Sequence, residues 1–518
     1  MAPDTDRVSK DLDPLAGFGG EPQGASDMSE KDATRLVVGP FNRVEGDLEV
    51  RLDVADGQVR AAEVNATLFR GIERILEGRD PMDALAIAPR ICGICSVSQS
   101  HAAALALAGV MGIGPAANGR VATNLILATE NLADHLTHFH LFFMPDFARA
   151  DYEGRPWFAR AHARFAAMRG TAARSILQTR ALLLHVMGVL AGHWPHTLAI
   201  QPGGVSRGVG MQECARLGSI LAGVRAALEE NLFGTVLEDV AGLADAAALE
   251  RWRAQGPQGD FRLFLEIAAD LELEQSGRAY DRFLSYGAYP GGLAAADEAR
   301  LWTGGLFVDG ATRKLEIAAV TEDHAASHMD DHDRPHPPFA GSTIPRLRDG
   351  AAYSWCKAPR LSGLPYETGA LARQLVAGQP LVRDLVARGG GNVLSRVVAR
   401  LVESARMLIA MEGWVRMLRP GTPWCAIQGP VPDGRAVGMT EAARGALGHW
   451  LRVEGGRIAG YQIIAPTTWN FSPRDGSGTP GPLERALVGA PVRPGERTPL
   501  SVQHIVRSFD PCMACTVH

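Results

Sequence analysis

Cysteine is scarce in this chain: 7 residues in 518. So few thiols, odd in number, exclude a secreted disulfide framework and favour a reducing compartment. Long apolar runs are missing as well. None reaches the roughly 18 to 20 residues that would span a bilayer; the longest candidate, Ala102 to Gly114, is short and rich in Ala and Gly. Positive charge is not in excess. The formal net charge is −5, which gives a nucleic-acid partner no electrostatic support. The segment 1–33 lacks the apolar stretch of a signal peptide. It is polar and rich in Gly, Asp and Ser, and reads as a disordered extension. No internal repeat divides the rest, so 34–518 reads as one large unit. At 46% hydrophobic it has ample material for a core.

What is present begins with a strand pattern. Leu48, Val50, Leu52 and Val54 alternate with Glu49, Arg51 and Asp53, Asp56-Gly57 makes a turn, and Val59 to Val64 returns. A second hairpin runs through Leu451, Val453, the Gly455-Gly456 turn and Ile458 to Ile464. Between the two, apolar residues recur at helical intervals: Leu125 to Phe139, Leu217 to Leu228, and Leu394 to Ile409. The fold class is therefore α+β and mostly α, with a central bundle of long helices and small antiparallel sheets at its edges. The His-, Asp- and Pro-rich stretch Glu322 to Arg346 reads as a long surface loop.

Four of the cysteines form two Cys-x-x-Cys pairs near opposite ends of the chain: Cys92 with Cys95, and Cys512 with Cys515. Each pair can aim two sulfurs at one ion. A site built from both is closed by the whole fold and belongs deep inside it. Thiolates favour zinc, nickel, copper(I) or iron–sulfur clusters. Structural zinc is the plain alternative, but such sites usually close small local modules. Cys214, Cys356 and Cys425 are scattered and read as buried structural thiols.

The two motifs, Arg90-Ile91-Cys92-Gly93-Ile94-Cys95 and Asp510-Pro511-Cys512-Met513-Ala514-Cys515-Thr516-Val517-His518, resemble the signatures of nickel–iron hydrogenase large subunits. The likeness extends over nearly all of 35–518. It includes Arg43-Val44-Glu45-Gly46, Arg70-Gly71-Ile72-Glu73, the run Glu441 to Trp450, and Pro466-Thr467-Thr468-Trp469-Asn470. The resemblance implies a heterolytic dihydrogen-splitting enzyme. Nickel would be held by all four cysteines, with Cys92 and Cys512 terminal and Cys95 and Cys515 bridging to an iron that carries carbon monoxide and cyanide. Glu45 would carry the proton. Arg444 would overlie the metals with Asp134 as its carboxylate partner, and Pro466 and Thr467 would flank a cyanide. Glu73, His518 and the Ile463 carbonyl would hold a second metal, magnesium with iron as the alternative. Iron–sulfur clusters would reside only in a partner small subunit.

Several positions depart from the usual pattern. Gln99 stands where a His is common, four residues after Cys95, and cannot titrate near neutral pH; the nearby His101 reads as structural. Ile94 and Phe142 occupy gas-channel positions that are usually smaller, which would hinder oxygen more than dihydrogen. Ala443 replaces a common Pro, and Asp47 a common His. The sequence stops at His518, where most family members carry a removable extension. Gln99, Ile94, Phe142 and that stop resemble the regulatory, hydrogen-sensing subgroup. That subgroup implies a cytoplasmic protein paired with an iron–sulfur small subunit and a sensor histidine kinase. An energy-conserving uptake hydrogenase is the enzyme alternative, and a non-catalytic metal-binding subunit a third.

Overall fold

A computed structural model describes residues 34–256, 258–291, 300–330, 334–426 and 429–516. The expected extension at 1–33 and the expected metal ligand His518 lie outside the described residues.

The bundle expected from the helical spacing is built from four long helices. These are α2 (Ala117–Thr137), α3 (Thr171–Ala191), α4 (Met211–Ala227) and α6 (Val393–Met417). Helix α2 packs on α3 and α6, and α4 packs on the same two. The Leu125–Leu132–Leu136 stripe is fully buried in α2, so apolar burial drives the assembly. Asn392 caps α6 by accepting from the Ser395 N–H at 2.9 Å.

The sheets are small and antiparallel, as expected. Strands β1 (Thr34–Val38), β2 (Leu48–Ala55) and β3 (Gln58–Ala66) form one. Strands β6 (Gly434–Ala442), β7 (Gly445–Glu454) and β8 (Arg457–Ile464) form another. Both hairpins read from sequence are present in these sheets.

Helix α1 (Ser96–Met111) lies across β6 and β7. Their approach is so close that a Cβ on Gly438 would sit 1.9 Å from the Ala102 carbonyl oxygen. Only glycine permits it. This contact ties the helix that begins after Cys95 to the sheet whose β6–β7 turn carries Arg444.

The stretch Glu322 to Arg346 is not simply a surface loop. Glu322 and Asp323 end strand β4 (Val320–Asp323), which pairs with β5 (Ala358–Leu361). Glu322, Asp323, His324, Ser327 and Thr343 are all buried. Composition misled here because the polar residues face an internal polar cluster rather than water. The lone thiols also divide: Cys356 is buried, whereas Cys214 and Cys425 are only half-buried.

Candidate metal centre

The fold brings the two Cys-x-x-Cys turns into one cluster. All four Sγ atoms lie within 4.8 Å of one another, and all four residues are buried. Cys95 Sγ is 3.2 Å from Cys515 Sγ, Cys512 Sγ is 2.9 Å from Cys515 Sγ, and Cys92 Sγ is 3.5 Å from Cys512 Sγ. Four thiolates so close would repel by about 5 kcal/mol per pair at an effective dielectric of about 20. With protons alone, the Cys92 thiol is pushed well down because Cys512, Cys515 and Cys95 donate to it. Cys95 and Cys515 are pushed well up, each chiefly by its hydrogen bond with Cys512. Full ionisation therefore calls for a cation among the sulfurs, and soft donors in this number suit nickel.

Each turn is pinned separately. Cys92 Sγ accepts from the Ile94 N–H at 3.3 Å. Cys95 occupies the N-cap of α1, but its side chain caps nothing, because the sulfur is turned into the cluster. Glu130 on α2 supplies the cap instead. Its carboxylate accepts from the N–H groups of Val97 (2.8 Å) and Ser98 (2.9 Å) and from Trp194 Nε1 (3.0 Å). Burial pushes this carboxyl up to about 7 although these donors pull it down.

The second turn follows α8 (Leu500–Ser508). Thr467, in the short helix α7 (Pro466–Asn470), accepts from the Cys512 N–H at 3.2 Å, and Pro466 opens that helix. Thr467 is thus in direct contact with the second cysteine turn.

Glu45 joins Cys512 through a parallel backbone bridge, and its carbonyl accepts from the Met513 N–H at 2.7 Å. Gly46 makes this approach possible. Its φ is 77°, and a Cβ there would lie 2.8 Å from the Ala514 nitrogen. Glu45 and Cys92 line one cleft of about 370 Å³ with Arg70, Arg90 and His196. The Glu45 carboxyl is raised, first by burial and then by the charge on Cys92, against the opposing pull of Arg444 and Arg70.

Arg444 is buried with two carboxylates. It meets Asp134 at 2.7 Å and Asp510 at 3.1 Å, and its Nε–H donates to the Asp510 carbonyl at 2.9 Å. Asp134, which by itself would read as a solvated helix charge, is only 4% exposed. Burial pushes its carboxyl up to about 8 against the pull of Arg444. Asp510 was overlooked as a partner. Its signal was position, two residues before Cys512 in the same motif.

Gln99 is buried, and its Oε1 lies 2.7 Å from His449 Nε2, while His449 Nδ1 lies 2.8 Å from the Tyr461 hydroxyl. Burial pushes His449 down to about 3, so this chain of groups stays neutral. His101 is held at 2.9 Å by Thr440 and pushed down to about 4 by burial and Arg300, which agrees with a structural role. Ile94 sits between the two cysteines of the first turn. Phe142 is tied to the Glu45 segment through its carbonyl, which accepts from Arg43 at 3.2 Å.

Glu73 forms a separate cluster. It is completely buried and accepts from the Ile463 N–H at 2.6 Å and from the Thr343 hydroxyl. Lys357 Nζ stands 3.4 Å from Glu73, 3.0 Å from Glu322 and 2.7 Å from Gln462 Oε1. Burial, and after it the Glu322 charge, pushes Glu73 up to about 7 in spite of Lys357. Two buried carboxylates served by one ammonium leave acceptor capacity for a hard cation. Nothing in the sequence motifs pointed to Lys357 or Glu322.

The nickel-dependent hydrogenase family model matches residues 70–149 and 174–518. The periplasmic [NiFeSe] hydrogenase large subunit of Desulfomicrobium baculatum is 29% identical over 93% of this chain and 95% of its own length. Hydrogenase-1 large chain of Escherichia coli is 28% identical over the same shares. The solved structure of H2-activated Dm. baculatum [NiFeSe]-hydrogenase superposes with a TM-score of 0.80 at 27% identity, covering 94% of this chain and 100% of that one. Unlike a centre with selenium, this chain offers sulfur at all four positions. The chain belongs to the nickel-dependent hydrogenase family, as a hydrogenase large subunit.

Proposed function

We propose that this subunit oxidises dihydrogen to two protons and two electrons at a nickel–iron centre held by Cys92, Cys95, Cys512 and Cys515. By the resemblance, Cys92 and Cys512 would serve as terminal ligands, and Cys95 and Cys515 as bridges. When bound, the bimetallic group, with its carbon monoxide and cyanide on iron, supplies the electrophile that polarises dihydrogen. Glu45 then takes the proton from the Cys512 side. The observation that carries this reading is the backbone bridge between Glu45 and Cys512, with the Glu45 carboxyl sharing the Cys92 cleft. Its raised affinity for a proton suits a general base. Arg444 keeps a fixed positive charge over the sulfurs, neutralised by Asp134 and Asp510, so that charge developing there meets a prepared environment. By the resemblance, Pro466 and Thr467 would flank a cyanide.

Glu73, the Ile463 carbonyl and His518 would hold magnesium, with iron as the alternative, and Lys357 and Glu322 lie beside Glu73. Electrons leave through iron–sulfur clusters of a small subunit, because the three remaining cysteines are scattered through this chain. Glu45→Gln tests the main reading. Dihydrogen/deuterium exchange is abolished while nickel stays bound, whereas unaltered exchange removes Glu45 from the proton path.

The biological output we assign is hydrogen sensing in the cytoplasm, signalled to a histidine kinase. Its support is the non-titrating Gln99 against a neutral His449, together with the larger Ile94 and Phe142 at positions where the resemblance implies a gas channel. No helix among the described residues is long and apolar enough to cross a membrane. The alternative is uptake, favoured by similarity to the uptake hydrogenase large subunit of Bradyrhizobium diazoefficiens, 27% identical over 94% of this chain. Co-purification separates the two: a histidine kinase supports sensing, and a membrane cytochrome supports uptake.

A further inference from the structure

Arg444 leaves the sheet in a tight turn. Strand β6 ends at Ala442 and β7 begins at Gly445, so its backbone is set by two residues, Ala443 and Arg444. A single buried side chain from α5 (Ala370–Val376) grips that turn. Arg373 is 1% exposed, and its three nitrogens make five hydrogen bonds. Nη1 donates to the Ala442 carbonyl at 2.8 Å and Nη2 to the Ala443 carbonyl at 2.9 Å. Nη1 also reaches Glu441 at 2.8 Å, while Nη2 and Nε reach Glu403 at 2.6 and 3.2 Å. A guanidinium has five N–H donors, so its capacity is used in full.

The grip is anchored on both sides. Glu441 accepts from the Tyr286 N–H at 2.7 Å and the Ser285 hydroxyl at 3.0 Å. Glu403 faces His135 Nε2 at 3.0 Å, and His135 is the neighbour of Asp134 on α2. The network therefore holds the backbone just before Arg444 and the side chain of the residue next to Asp134.

We infer that Arg373 is a positioning residue, whose five-bond grip on Glu441 to Ala443 sets the Arg444 guanidinium over the four cysteines. This rests on the role assigned to Arg444 above. Were Arg373 needed only to neutralise Glu403 and Glu441, its charge alone would matter, and lysine would serve. The two bonds to carbonyls directly before Arg444 require the planar fork, which lysine lacks.

The test uses the nickel-loaded large–small complex and the rate of dihydrogen/deuterium exchange per nickel. Arg373→Lys lowers the rate roughly 10- to 100-fold, the scale expected when a charged group is misplaced by about 1 Å. Arg444→Lys lowers it too, and adding Arg373→Lys to that variant causes no further loss, because Arg373 acts through Arg444. A further loss in the double variant overturns the inference. So does a lowered melting temperature with an unchanged rate per nickel, which marks a merely structural role. If Arg444→Lys alone has no effect, the role of Arg444 fails instead, and the inference falls with it. Should Arg373→Lys not accumulate with nickel, Glu441→Gln loosens the same grip from its other side. The same non-additivity with Arg444→Lys is expected, and additive losses refute it.

Discussion

Replacing Glu130 by alanine tests how the cysteine centre is built. Cys95 gives up its capping position to direct sulfur inward, and Glu130 caps α1 from a neighbouring helix. The Ala variant leaves three N–H groups without an acceptor, the buried Val97 and Ser98 amides and the half-buried Trp194 Nε1. At about 1–3 kcal/mol each, the sum is about 3–9 kcal/mol. Water entering the space left by the side chain moves the loss to the lower end, about 3 kcal/mol, or roughly a hundredfold in the local opening equilibrium. Native-state hydrogen exchange reads this directly at the Val97 and Ser98 amides. Their protection falls about a hundredfold, while amides in the middle of α6 are unchanged. Nickel is released faster to a chelator, because Cys95 has lost its footing. Unchanged protection at Val97 and Ser98 would refute the idea that Glu130 carries the cap.

Glu484 offers a test remote from the metals. Its carboxyl is buried, accepts from Val64 N–H and Tyr353, and is pushed from 4.5 to about 7 by burial. A carboxyl raised on folding contributes stability below its unfolded pKa and loses it as pH rises through the folded one. About 3 kcal/mol is therefore lost between pH about 4.5 and 7. Glu484→Gln flattens that slope in denaturant titrations, and an unaltered slope contradicts it. Ile94→Val combined with Phe142→Leu makes activity more sensitive to oxygen; equal tolerance rejects the narrow channel. Glu73→Gln lowers magnesium content while nickel is retained, and undiminished magnesium removes Glu73 from that site.

The architecture was legible where local pattern and burial agree. The two hairpins carry strict alternation and glycine turns, and the α2, α4 and α6 stripes carry helical spacing. The cysteine cluster was legible because paired thiols in one turn mean little except as ligands. Contacts between distant segments were not legible. Glu130 carries no motif and becomes a cap only because Val97 and Ser98 arrive beside it. Asp134 depends likewise on Arg444. The segment from Glu322 misled because its acidic and hydroxyl groups line an interior cluster around Lys357, and composition cannot tell inward-facing polarity from outward. Arg373 carries no motif of its own, and only the turn it grips gives it meaning.

The central claim is that these four buried sulfurs hold nickel. Elemental analysis of the purified large–small complex tests it most directly. The account predicts nickel in stoichiometric amount with the chain, accompanied by iron, and its loss in Cys512→Ser. Zinc in place of nickel, bound by the same four cysteines, would contradict it.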